Sequence, residues 1–99
     1  MKNYEMVLIF GASLEEGVVT EELAKITATI EKSKGIVTKT DIWGVKRLAY
    51  SIKHQENGFY VILYFSSDTS VLLELDRLNK INDKILRHMI VKLSEKESK

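Results

Sequence analysis

The sequence contains no cysteine, which excludes a disulfide framework, a thiolate metal site and a cysteine nucleophile and suits a reducing compartment. It also has no long hydrophobic run. Met6 to Phe10 and Phe59 to Phe65 are the longest, and both fall far short of the roughly 20 residues that a membrane-spanning helix needs. The start Met1-Lys2-Asn3-Tyr4-Glu5 lacks the order of a signal or transit peptide, so the chain reads as soluble and unprocessed. Histidine occurs only as His54 and His88, neither with a partner at helical spacing, and there is no Gly-rich phosphate loop, nucleophile elbow or zinc spacing. Acid–base and metal chemistry therefore have no visible seat. The acid pairs Glu15-Glu16 and Glu21-Glu22 do not supply one, because adjacent side chains on a helix diverge by about 100°. They read as a solvated helix surface. Charge of one sign is scarce too: Lys+Arg 15 against Asp+Glu 14 leaves +1, too little for the whole-molecule field to drive strong nucleic-acid binding.

What the sequence does hold fits one compact domain, since 99 residues that are 44% hydrophobic suffice for a single modest core. Tyr4 to Phe10 is an apolar run broken by Gly11-Ala12-Ser13, the pattern of a buried strand and its turn. Ser13 and Glu16 stand at capping-box spacing. Val19, Leu23, Ile26 and Ile30 recur at helical steps, which predicts a helix over 15–34 with Gly35 as its stop. Ile36 to Lys53 reads as a long strand bent at Gly44, because glycine in a strand pattern often marks a bulge. Asn57-Gly58 predicts the hairpin turn into a strand from Phe59 to Phe65. A second helix is capped within Ser67-Asp68-Thr69-Ser70, striped by Val71, Leu72, Leu75 and Leu78, and ended by Asn82. Ile85 to Leu93 is the last strand. This order predicts an α+β fold, the ferredoxin-like split βαβ sandwich (βαββαβ), with two helices on one face of a four-stranded antiparallel sheet. The domain spans 1–93. Residues 94–99 are small and charged with nothing to bury, and a flexible tail is the expectation for them.

The charges are unevenly placed. Acids gather on the expected helices, at Glu15, Glu16, Glu21, Glu22, Asp68, Glu74 and Asp76, whereas acid-free stretches carry Lys46, Arg47 and Lys53, then Lys84, Arg87 and Lys92. A basic region on the sheet is the expectation. The densest feature is Gly44-Val45-Lys46-Arg47-Leu48-Ala49-Tyr50-Ser51-Ile52-Lys53. Side chains alternate along a strand, so Val45, Arg47, Ala49 and Ser51 share one face and Lys46, Leu48, Tyr50 and Ile52 the other. Taken alone, the run also fits an ordinary amphipathic edge strand whose solvated cations discourage edge pairing. Asn57 to Tyr64 echoes the third-strand motif of the RNA recognition module, but Asn57 stands where a base is expected and Val61 where a stacking aromatic is. Phe59, Tyr60, Tyr64 and Phe65 therefore read as packing residues on both faces of a central strand, and an apolar outer face suits a protein partner.

The run from Gly44 resembles the signature of the bacterial small-subunit ribosomal protein six family: glycine, any residue, a base, a polar residue, leucine, a small residue, tyrosine, any residue, isoleucine. Every position is matched. Tyr4-Glu5, Gly58-Phe59-Tyr60, and Leu78-Asn79 to Lys92 through Ile85, Arg87-His88-Met89 and Val91-Lys92 are similar to the family's other recurring elements. The resemblance implies a non-enzymatic structural component of the small ribosomal subunit, in the cytoplasm. It would bind the central domain of small-subunit ribosomal RNA as a heterodimer with the eighteenth protein of that subunit, without cofactor, membrane or small-molecule substrate. Some members end in a glutamate-rich tail, and the mixed-charge Ser94 to Lys99 departs from that.

The residues suit such a role, because lysine and arginine held on strands can meet phosphate oxygens, arginine through two parallel hydrogen bonds. Lys2, Tyr4, Lys46, Arg47, Arg87, His88 and Lys92 are the candidates for RNA contact. Trp43, Leu48, Ala49 and Tyr50 are the candidates for partner contact, with none for catalysis or metal; Tyr4 and Leu48 read equally well as core residues. Two alternatives remain at this point. One is a ferredoxin-like interaction or small-ligand-binding module, or an acylphosphatase-type enzyme, for which Gly11-Ala12-Ser13 supplies only the loop. The other is a self-pairing module built on the edge of the Ile36 to Lys53 strand.

Overall fold

The computed structural model describes residues 2–93, which form β1 (Lys2–Gly11), α1 (Glu16–Lys32), β2 (Ile36–Ile52), β3 (Gln55–Ser67), α2 (Ser70–Ile81) and β4 (Ile85–Lys92). The charged tail expected at 94–99 lies outside the described residues. One sheet runs in the order β2-β3-β1-β4, with every neighbouring pair antiparallel. This is the expected ferredoxin-like arrangement.

Alternation decides which residues enter the core. Tyr4, Met6, Leu8 and Phe10 of β1 lie opposite Phe65, Leu63, Val61 and Phe59 of β3, so all eight share one face. Ile85 of β4 joins them. The α1 stripe Val19, Leu23, Ile26 and Ile30 and the α2 residues Val71 and Leu75 close over this helix face. Leu78 is only half-buried; Asn79, one residue on, takes the buried position, its amide Nδ2 lying 3.4 Å from Met6 Sδ. A smaller cluster of Ile9, Leu48 and Leu86, flanked by Ile52 and Tyr60, forms on the open face of the sheet.

The departures from expectation are local. α1 starts from Glu15 without a side-chain cap bond, so the Ser13–Glu16 capping box does not form, and α2 starts from Thr69 without one either. At the end of α1 the left-handed residue is Lys34 (φ 66°), not Gly35; the Lys34 and Gly35 amides donate to Glu31 O at 3.0 Å and Ile30 O at 2.9 Å. The hairpin turn is Lys53-His54, both at positive φ (50° and 66°) between the paired Ile52 and Gln55, a type I′ geometry. Asn57-Gly58 instead lies inside β3. A Cβ on Gly58 would stand 2.4 Å from Ile9 Cγ2 and 3.3 Å from Leu48 Cδ2, so close packing, not a turn, requires glycine there.

Glu22, expected on a solvated surface, is 5% exposed. It accepts from Asn82 Nδ2 at 2.6 Å and from Lys25 Nζ at 3.1 Å, and Asn82 caps the end of α2, so this carboxylate ties the two helices together. Burial alone pushes the Glu22 carboxyl up. The hydrogen bonds from Asn82 and Lys25, with the Lys25 and Lys84 charges, outweigh it and hold the group below the ordinary glutamate value.

Two outcomes follow from this packing. Ile26→Ala and Leu75→Ala should each cost about 2–5 kcal/mol in urea denaturation, while Leu73→Ala, at a side chain 80% exposed, should stay within about 0.5 kcal/mol. Similar small costs for all three would contradict the two-helix cover. The second outcome concerns acid. A carboxyl depressed in the folded state adds stability above its unfolded value, and that stability is lost as pH falls through the folded value. The urea midpoint of Glu22→Gln should therefore change less than that of the unsubstituted chain as pH falls below about 5; parallel curves would show that the Asn82 and Lys25 bonds do not hold in solution.

Candidate nucleic-acid interface

β2 is an edge strand whose second half leaves the flat sheet. Its register against β3 shifts between Val37 and Lys39, between Ile42 and Gly44, and again beyond Arg47. At the middle shift Gly44 adopts φ 85°, where a side chain is strained even though nothing lies within 4 Å of its Cβ position. This confirms the bend expected at Gly44. Beyond it, 45–57 form an arm in which Lys46 lies opposite Gly58 on the open face, while Val45 and Arg47 point to the other side. Leu48 joins Ile9 of β1 and Leu86 of β4 in one buried cluster, so the arm folds back across the open face toward the far edge of the sheet. A register shift opposite Ile9 and Phe10 puts both Leu86 and Arg87 on that face, and there Arg87 Nη1 donates to the Tyr50 hydroxyl.

The arm also carries exposed aromatic surface. Trp43, half-exposed at the bulge, donates from Nε1 to Asp41 Oδ2 at 3.1 Å, and Lys46 Nζ lies 5.2 Å from its ring centroid. Lys39 sits 5.7 Å over Tyr64. Glu5 and Asp41 share the open face with these cations; with partial burial first, then the Glu5 bond and both charges, they push the Tyr64 phenol up. The basic region expected on the sheet is therefore a mixed-charge face.

The seven residues expected to meet RNA fall into separate groups. Lys46 on the arm and Arg87 beside it share the open face, and Arg47 is exposed on the arm's other side. Lys2 and Lys92 lie at the opposite end of the sheet, Lys92 paired with Tyr4 across the β1–β4 ladder. Their side chains meet: hydrogen bonding and charge from Lys2, with some burial, push Lys92 below the ordinary lysine value. Two ammoniums held this close favour an anion beside them. His88 is engaged on the helix face, its Nε2 2.7 Å from Asp76 Oδ1 of α2, and Lys80 lies 3.1 Å from Asp76 Oδ2. These bonds from His88 and Lys80 hold Asp76 below the ordinary aspartate value. His88 is thus a link between α2 and β4 before it is a surface contact.

Two of the expected contact residues are buried. Tyr4 is 2% exposed, in phase with Met6, Leu8 and Phe10, with its ring 5.5 Å from that of Phe65. Its place in the core removes it from the surface offered to RNA. Leu48 is 7% exposed and spends its side chain on the protein's own open-face cluster. Trp43, Ala49 and Tyr50 are exposed as expected. Sequence reasoning missed Lys39, because the first register shift in β2 changes the phase of the alternation there. It missed the Tyr50–Arg87 contact because no local pattern joins residues 37 positions apart. Among the described residues, no group of three or more His, Cys, Asp and Glu could hold a metal ion.

A ferredoxin-like sandwich that displays strand cations and exposed aromatics on an arm belongs to the class of small α+β binding proteins. Comparison with known proteins narrows that class: the profile of the family described as ribosomal protein S6 matches residues 3–92, and the chain belongs to this family. It is a family of structural ribosomal proteins and not of enzymes, so the acylphosphatase-type alternative falls. The chain is 42% identical to the small ribosomal subunit protein bS6 of Desulforamulus reducens, over 96% of this chain and 100% of that protein. Against the protein of the same name from Corynebacterium kroppenstedtii it is 39% identical, over 93% and 97%. The crystal structure of 30S ribosomal protein S6 from Thermotoga maritima has the same fold, with a TM-score of 0.87 at 26% identity over 93% of this chain and 87% of that one.

Proposed function

We propose that the chain is a structural constituent of the small subunit of the cytoplasmic ribosome, binding the central domain of small-subunit ribosomal RNA as a heterodimer with the eighteenth protein of that subunit. The observation that carries this reading is the family match over 3–92, with relatives named as small ribosomal subunit proteins along their full length. The geometry supplies a chemistry for it. Lys46, Arg47 and Arg87 on and beside the arm, and the Lys2–Lys92 pair at the other end of the sheet, are the phosphate contacts. Trp43, Ala49 and Tyr50 offer exposed surface to the partner protein. Tyr4, Leu48 and His88 support these surfaces from within. With a net charge of only +1 the chain alone binds RNA weakly, and useful affinity comes from joining a second basic protein into one continuous surface.

Phosphate contacts release counterions and apolar contacts do not, so the two surfaces respond differently to salt. For the preformed heterodimer, Arg87→Ala should lower the slope of log RNA affinity against log salt by about 0.7–0.9. Trp43→Ala should leave that slope alone and weaken heterodimer formation, measured by titration calorimetry without RNA, by about 1 kcal/mol or more. An unchanged slope in the first variant, or unchanged dimer affinity in the second, would mean that the corresponding surface is misassigned.

A further inference from the structure

Tyr50 and Arg87 stand on opposite edges of the sheet in chain terms, one on the β2 arm and one on β4, yet their side chains meet over the open face. Each is two positions or fewer from a buried anchor. Leu48 precedes Tyr50 by two, Leu86 immediately precedes Arg87, and both leucines belong to the buried cluster around Ile9. The hydroxyl is therefore held relative to the guanidinium by packed aliphatic side chains, although both polar groups are exposed. The acceptor is also a hydroxyl and not a carboxylate. A carboxylate in its place would fix the arginine but cancel its charge, and no acid occurs between Ile42 and Gln55. A phenolic oxygen occupies one guanidinium N–H and leaves the remaining donors and the full positive charge for a ligand.

We infer that Tyr50 is a positioning residue for Arg87, holding its guanidinium over the open face in the orientation that meets a phosphodiester of RNA. The inference rests on the reading of Arg87 as a phosphate contact. An unrestrained arginine on an edge strand must be ordered when the ligand arrives, whereas one already held by Tyr50 has lost that freedom on folding. The arm then has two duties: Ala49, with Trp43 at the arm's base, offers exposed surface to a protein partner, while the Tyr50 hydroxyl sets the geometry of a cation on a different strand.

A double-mutant cycle tests this, using the full chain as preformed heterodimer, small-subunit ribosomal RNA as probe, and a salt series for the unsubstituted chain, Tyr50→Phe, Arg87→Ala and the double variant. Phenylalanine keeps the ring and removes only the hydroxyl. The expected result is that Tyr50→Phe weakens RNA binding roughly 2- to 12-fold, the cost of ordering one rotamer-rich side chain, with the salt slope unchanged because the charge still reaches its phosphate. In the Arg87→Ala background the same substitution should have no further effect. A loss of equal size in both backgrounds would overturn the inference, since the hydroxyl would then act on the partner or on folding; so would the absence of any loss in the Arg87 background. If Arg87→Ala itself leaves affinity and slope unchanged, the reading of Arg87 as a phosphate contact fails and the inference falls with it, an outcome distinguishable from the other two.

Discussion

The packing of Leu48 against Ile9 and Leu86 governs how this molecule presents its charged and aromatic side chains. An isolated two-stranded hairpin is marginal in water. Burying one leucine is worth about 1.5–3 kcal/mol, enough to decide whether the end of the β2–β3 ribbon lies against the sheet or moves freely. Three features permit the contact. Gly44 takes the positive φ that turns the ribbon, Gly58 leaves room under Ile9 and Leu48, and the irregularity in β4 brings Leu86 to the open face with Arg87 beside it. Lys46, Tyr50 and Arg87 inherit their positions from this small cluster, not from the main core.

The main core is built independently, on the other face. Two aliphatic helical stripes close over alternate residues of β1 and β3, and polar links fasten the rim: Glu22 to Asn82 between the helices, and His88 to Asp76 between β4 and α2. That division explains why the cations do not converge. One group is carried by the arm, another by the far end of β1 and β4, so a small ligand would engage only one, and only a long polyanion would span both. The weak net charge makes affinity depend on where these groups stand and on what joins them.

Much of the fold was legible because burial enforces periodicity. The stripe Val19, Leu23, Ile26 and Ile30 reports a helix face directly, the apolar run from Tyr4 to Phe10 reports a buried strand, and the sandwich follows from the order of such elements along the chain. Turn and cap chemistry misled, because it reports local preference only. Asn57-Gly58 carries a strong turn signal, yet tertiary contact with Ile9 and Leu48 claims that glycine, and the turn forms at Lys53-His54. The same limit hid the burial of Glu22, whose partner Asn82 is 60 residues away. For the candidate interface, the faces of Lys46 and Arg47 could be read from alternation, whereas the inward side of Tyr4 could not, because Met6 to Phe10 is apolar at every position. What no local pattern held was the fold of the arm over the sheet.

Native-state hydrogen exchange on Leu48→Ala tests that arrangement most directly. If Leu48 pins the arm, the amides of 45–47 and 57–59 should exchange at least about tenfold faster in the variant than in the unsubstituted chain, from the loss of 1.5–3 kcal/mol of burial. The amides of Leu8 and Leu63 in the main core should keep their rates. Unchanged exchange in the arm, or equal acceleration in arm and core, would contradict an arm held over the sheet by its own hydrophobic contact.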